Sequence, residues 1–174
     1  LCVSAPLPGH LDWGGYLSTA VELQRRGHEL CWASGSAVES QIQRAGIAFQ
    51  KLTESGWRWP PPPPLVASQA ESPEAWQQLR VQRALDQWLD EERVGAAIIE
   101  LQRIAESWQP DLVISEMFIA AAGIVAEMVQ RPLVIAGWPA QLIEPSRPDP
   151  AIALARQRLD RLLARHLVSG HNWS

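Results

Sequence analysis

The chain is poor in positive charge: its 174 residues hold one lysine, Lys51, beside fourteen arginines, and the net charge is −4. A nucleic-acid binder carries a basic footprint, and the lack of one argues against that partner class. Cysteine is almost absent. Cys2 and Cys31 fall in apolar, strand-like stretches without C-x-x-C spacing, which leaves two reduced core thiols rather than a disulfide scaffold. No apolar run reaches the roughly 20 residues that a bilayer span needs. The stretch from Leu1 to Pro6 has neither the basic flank nor the apolar length of a signal peptide, so a cytoplasmic location is expected. Phosphate-binding motifs are missing too. Gly9, Gly14 and Gly15 do not make G-x-G-x-x-G, and Gly15 and Tyr16 follow Gly14 where a P-loop needs lysine. His166 and His171 lack a third ligand, so no metal is expected.

What is present is an α/β rhythm. Apolar residues make up 47% and charged residues 20%, the balance of a globular chain with a core. The chain opens without methionine on an apolar run, and residues are expected to precede Leu1. Short apolar runs at 1–5, 29–33, 47–52, 111–115 and 132–136 read as strands. Helical patterns cover 15–26, 37–45, 73–108 (split near Asp90), 119–129 and 151–167. In the first of these helices Leu17, Ala20, Val21 and Leu23 share a face. Gly27 and Gly46 are well placed as helix stops. Residues 1–52 thus form βαβαβ, and 53–108 hold an aromatic, proline-rich loop and helices. Residues 109–150 add two strands, and 151–174 a final helix and tail. The run Pro60 to Pro64 reads as stiff polyproline II. The fold expected is one doubly wound, Rossmann-like parallel sheet with strand order 3-2-1-4-5.

In that order strands 1 and 4 are neighbours, and ligands bind in the crevice outside their carboxyl ends. The loops that matter span 6–15 and 115–119. The first holds His10 and the second Glu116. An imidazole near neutrality can take a proton from a hydroxyl. A carboxylate behind it fixes the tautomer and steadies the imidazolium. The plainer alternative is a helix-capping histidine with a solvated glutamate nearby.

The segments Pro8-Gly9-His10-Leu11, Glu22-Leu23-Gln24-Arg25-Arg26-Gly27-His28-Glu29 and Ala45-Gly46-Ile47 resemble the N-terminal domain of UDP-sugar-type glycosyltransferases, including the macrolide transferases. Trp108-Gln109-Pro110-Asp111-Leu112-Val113-Ile114 and Arg131-Pro132-Leu133-Val134 are similar to that family as well. The resemblance covers most of the chain from Leu1 to about Pro139. It implies the acceptor-binding half of a two-domain GT-B enzyme, which moves a sugar from a nucleotide sugar to a hydroxyl with inversion. His10 matches the family's base. Glu116 stands where the family often has an aspartate that orients the base. Asp12-Trp13 replaces the Asn-Pro of many relatives, so Asp12 is a rival carboxylate or a helix cap.

The resemblance also places Trp57, Trp59, Trp76 and Trp88 in a region that shapes the acceptor pocket. Asp12, Trp13, Trp57, Trp59 and Trp76 are the acceptor-binding candidates, and the rival reading has the tryptophans pack the proline loop onto the core. No resident cofactor is implied: the nucleotide sugar is a co-substrate held mainly by a second Rossmann-like domain, which nothing after Leu167 could supply. The expected partners are therefore a small-molecule acceptor and a donor-binding domain or subunit. The chain would then be a fragment, a truncated product or one subunit of a split enzyme. The alternative is a non-catalytic small-molecule-binding domain. His28 reads as structural. The last helix sets Arg156, Arg158, Arg161 and Arg165 against Leu159, Leu162, Leu163 and Leu167, a solvated basic face, with a membrane-surface contact as the lesser reading.

Overall fold

The computed structural model describes residues 1–66, 70–136 and 150–173; of the side chains of Trp13 and Trp173 nothing is described. The loop expected at 137–150 lies almost wholly outside these residues. The strands are β1 (Cys2–Val3), β2 (Cys31–Ser34), β3 (Ala48–Lys51), β4 (Val113–Glu116) and β5 (Leu133–Ala136). They form one parallel sheet in the order β3-β2-β1-β4-β5, as the alternation of elements predicts. The helices are α1 (Pro8–Asp12), α2 (Tyr16–Arg25), α3 (Glu39–Arg44), α4 (Pro73–Leu85), α5 (Glu91–Trp108), α6 (Ala120–Met128) and α7 (Pro150–His166). Among the described residues, no helix is long and apolar enough to cross a membrane.

Strand periodicity divides the core. Successive side chains point to opposite faces. Cys2, Trp32 and Ile114 pack with Leu11, Tyr16, Ala20, Val38 and Ile42 on the face covered by α1 to α3. Val3, Ala33 and Val113 pack on the other face, beneath α4 to α7. Both cysteines are free and buried, and burial pushes the Cys2 thiol up to about 11. Helix starts follow their caps. Ser72 accepts the Ala75 N–H with Pro73 at the first helical position of α4, and Asp90 accepts the Glu92 and Arg93 N–H groups at the start of α5.

Several local expectations are corrected. The stretch after β1 contains a helix, α1, and then a 3-10 turn at Trp13–Gly15. Five residues are too few for a visible period; the available signal was Pro8, a good first helical residue. Val21 is exposed, and the buried face of α2 is instead Tyr16 and Ala20, with Leu17 and Leu23 partly covered. Asp12 ends α1 and caps no helix, since α2 starts from Gly15 without a side-chain cap. The basic face of α7 is partly engaged: Arg158 pairs with Asp86 at 2.7 Å and Arg161 with Glu91 at 2.6 Å, which ties the helix to the α4–α5 corner.

Two contacts set the crevice. The Tyr16 hydroxyl, fully buried, accepts the Val3 N–H at 2.9 Å and donates to the Ile114 carbonyl at 2.7 Å, at the seam between β1 and β4. Beside it, the turn after β2 lies against the loop after β1. A Cβ on Gly35 would sit 2.6 Å from the Pro6 Cβ, so only glycine allows that approach.

Candidate active site

Both loops of the switch point deliver their side chains. Glu116 is the last residue of β4, one step earlier than a loop position. Its Oε1 accepts the Ala5 N–H at 2.6 Å, just past the end of β1. Pro8 starts α1 at once, which brings His10 back over the crevice. His10 Nδ1 lies 3.1 Å from Glu116 Oε2, and the two side chains are each 7% exposed. When the carboxylate is ionised it accepts from Nδ1, and the contact then sets the proton on that nitrogen. Burial pushes the Glu116 carboxyl above its ordinary range, and the Ala5 N–H and His10 only partly offset it. The helix-capping alternative fails here, because His10 lies inside α1 and its ring is bound to the carboxylate. Asp12 is exposed, and among the described residues no hydrogen bond joins it to His10, so Glu116 is the carboxylate partner.

Aromatic rings close around the imidazole. Trp57 meets His10 edge-on, with centroids 5.3 Å apart and planes at 72°. Phe118 lies 6.1 Å from His10 and 5.4 Å from Trp57. Trp88 extends the wall, 6.2 Å from Phe118. Of the other acceptor candidates, Trp59 is 57% exposed and Trp76 half-buried, and among the described residues neither makes a ring contact. Trp13 begins the turn after α1, and its side chain lies outside the described residues. Phe118 went unread in the sequence, although it sits two residues past Glu116 in a loop already marked as important.

Trp88 also lines a cavity of about 700 Å³ between α4, α6 and α7, together with Leu85, Leu89, Ala120, Ile152 and Leu159. Its walls are mainly apolar. Size and lining are those of a small-molecule site, which typically has ~300–1,000 Å³. Arg156 and Asp160 stand at its edge. Among the described residues no cluster of acidic, histidine and cysteine side chains could hold a metal ion.

An open α/β domain with a buried histidine and glutamate paired at its switch point is therefore in place. No protein-family model and no curated protein matches the sequence. Solved structures do. The chain is similar to the spinosyn rhamnosyltransferase SpnG complexed with thymidine diphosphate, with a TM-score of 0.66 and 22% identity over 95% of this chain and 40% of that one. It is similar to the calicheamicin glycosyltransferase CalG4, with a TM-score of 0.66 and 19% identity over 97% of this chain and 43% of that one. SnogD from Streptomyces nogalater gives 0.60 and 23%, over 97% and 40%. At such identities the likeness shows the fold: a Rossmann-like half domain of the kind found in macrolide-type GT-B glycosyltransferases. The chain spans about 40% of the length of these proteins.

Proposed function

We propose that this chain is the acceptor-binding half of an inverting glycosyltransferase, with His10 as general base. The observation that carries the reading is the buried His10–Glu116 pair, 3.1 Å apart at the carboxyl ends of β1 and β4. The acceptor is a small lipophilic molecule, seated in the apolar cavity and against the aromatic wall with one hydroxyl toward the imidazole. His10 Nε2 takes the hydroxyl proton as the oxygen attacks the anomeric carbon of a nucleotide sugar. The new C–O bond forms while the bond to the nucleoside diphosphate breaks, and a single displacement inverts the centre. Glu116 holds the Nδ1 proton and offsets the charge on the imidazolium. The donor is held by a second Rossmann-like domain or subunit, and the 174 residues alone bind nucleotide sugars weakly and transfer none.

Supplying a separately produced donor-binding domain tests this directly. Restored transfer to an apolar alcohol or phenol, lost in His10→Ala with acceptor binding retained, is the expected result. General-base catalysis is typically worth ~10²–10⁴-fold in kcat. If His10→Ala stays within about twofold, below that range, the base is misassigned. Acceptor binding without transfer under any pairing would make the chain a non-catalytic binding domain.

A further inference from the structure

The cavity beside Trp88 has a long axis. On α7 its lining residues Ile152, Ala155, Leu159 and Leu163 follow at steps of three, four and four, which sets them along one side of the helix. At 1.5 Å per residue that stripe is about 16 Å long. Spread over this length, the volume of about 700 Å³ leaves a mean section of roughly 40 Å². Such a channel admits one extended chain and is narrower than the girth of a macrocycle. Leu85 and Leu89 form the facing wall.

The two ends differ. α6 starts at Ala120, two residues past Phe118. Ala120 and Trp88 line the channel where it approaches the rings around His10: Trp88 lies 6.2 Å from Phe118, and Phe118 6.1 Å from the imidazole. The other end lies near the end of α6, where Ser169 and Gly170 close it. Glu127 holds that closure from behind, since its Oε1 accepts the Ser169 hydroxyl and the Gly170 N–H, each at 2.8 Å. Gly170, at φ +79, lies so close to Leu163 that a Cβ would sit 2.6 Å from the leucine Cδ1. The floor is thus packed carbon and backbone whose polar groups are already bonded. Of the lining residues described, the charged ones, Arg156 and Asp160, are exposed along the side.

An occupant of this channel needs length, an apolar tail to meet a floor that asks for no hydrogen bond, and its polar atom at the opposite end. We infer that the channel binds a straight-chain aliphatic alcohol, its hydroxyl toward His10 and its tail against Leu163 and Gly170. Under the proposed acceptor-binding function, on which the place of the hydroxyl rests, that alcohol is the acceptor. A chain uses the whole stripe, and each added methylene leaves water until the floor is reached.

The test is calorimetric titration of the 174-residue chain with primary alcohols from hexanol to dodecanol, which needs no donor and no turnover. Affinity is expected to rise about threefold per methylene, the gain from burying each group less the cost of ordering the chain. Cyclododecanol closes the carbons of dodecanol into a ring and should bind at least about tenfold more weakly, because the ring overfills the section. Leu159→Trp sets a bulky ring about 10 Å along the helix from Ile152. It should leave hexanol near wild type and flatten the rise for longer chains; Leu159→Phe serves if the tryptophan variant does not fold. An equal loss for hexanol and dodecanol would show a compact site and overturn the inference. So would no loss at all, or cyclododecanol binding as well as dodecanol. Alcohols that bind with this length dependence but are never glycosylated in the complemented enzyme break the proposed function and leave the channel standing. Transfer to compact alcohols without length dependence does the reverse.

Discussion

Two glutamates in this fold are nearly equal in burial and opposite in character. Glu116 is 6% exposed at the carboxyl end of β4, and Glu127 is 8% exposed near the end of α6. Each accepts one backbone N–H, from Ala5 and Gly170, and each meets a histidine, His10 and His171. Burial acts on both carboxyls in the same upward direction. For Glu127 the Ser169 hydroxyl, the Gly170 N–H and His171 together outweigh it, and the carboxyl falls below its ordinary range. For Glu116 the donors do not suffice, and it stays raised. The histidines differ too: His171 is 67% exposed and His10 is 7%. Glu127 gathers its donors on one oxygen, Oε1, and so anchors a chain end, Ser169 to His171, while its Oε2 is buried with no hydrogen-bond partner among the described residues. Glu116 spreads its partners over both oxygens, the Ala5 N–H on Oε1 and His10 on Oε2, and burial still holds its carboxyl raised beside a buried imidazole.

The sharpest way to break this comparison is kinetic. In the complemented enzyme Glu116→Gln is expected to lower kcat by about 10-fold or more, less than His10→Ala, since it keeps the shape and loses the charge. Glu127→Gln should leave kcat and acceptor affinity near wild type. Equal losses in the two variants would show that both act through stability alone.

The next effect is thermal. Glu127→Ala strands the buried Gly170 N–H and leaves the Ser169 hydroxyl its His171 contact, at a cost of ~1–3 kcal/mol. For a domain of this size each such kcal/mol lowers Tm by about 2–4 °C. Calorimetry that finds Tm unchanged would show that the 169–171 segment is not held by this carboxylate.

The smallest effect is one of pH, and the two residues should oppose each other. Glu116 ionises above the ordinary value of 4.5 when folded, so the unfolded chain loses its proton first. Stability then falls as pH rises from 4.5 through the raised value, a decline that Glu116→Gln should abolish. Glu127 ionises below 4.5 when folded, and its contribution is present above that value and lost as pH drops through the lowered one. Glu127→Gln should remove that acid-side loss. Tm measured against pH for the three proteins checks both signs, and identical profiles would refute the contrast.

What the sequence disclosed follows from the range of the interactions. Apolar runs closed by glycine fix strands and helix stops locally, and the short connections then dictate the strand order that brings His10 to Glu116. The His10–Glu116 pairing was legible for that reason. The aromatic wall was not. Trp57 and Trp59 look alike in the sequence, and only the tethers around Glu54, Arg58 and Gln87 turn the first inward and leave the second in solvent. Tyr16 was equally hidden. Its value lies in a hydroxyl that bonds two strands at once, and no pattern of apolar spacing marks a hydroxyl. Boundaries drifted by a residue or two where strands run into loops, as at Glu116, because polar end residues break the apolar run that identifies a strand.

The approach of Gly35 to Pro6 extends the mutational target of this site well beyond His10 and Glu116. Gly35 offers no atom to any substrate and lies in the turn after a different strand. Even so, the smallest possible replacement adds a carbon 2.6 Å from the Pro6 ring, and the chain must yield somewhere. Pro6 leads directly into the helix that carries His10. An inherited change from glycine to alanine at position 35 would therefore read, in a survey of variants, as damage at His10 although His10 itself is unchanged.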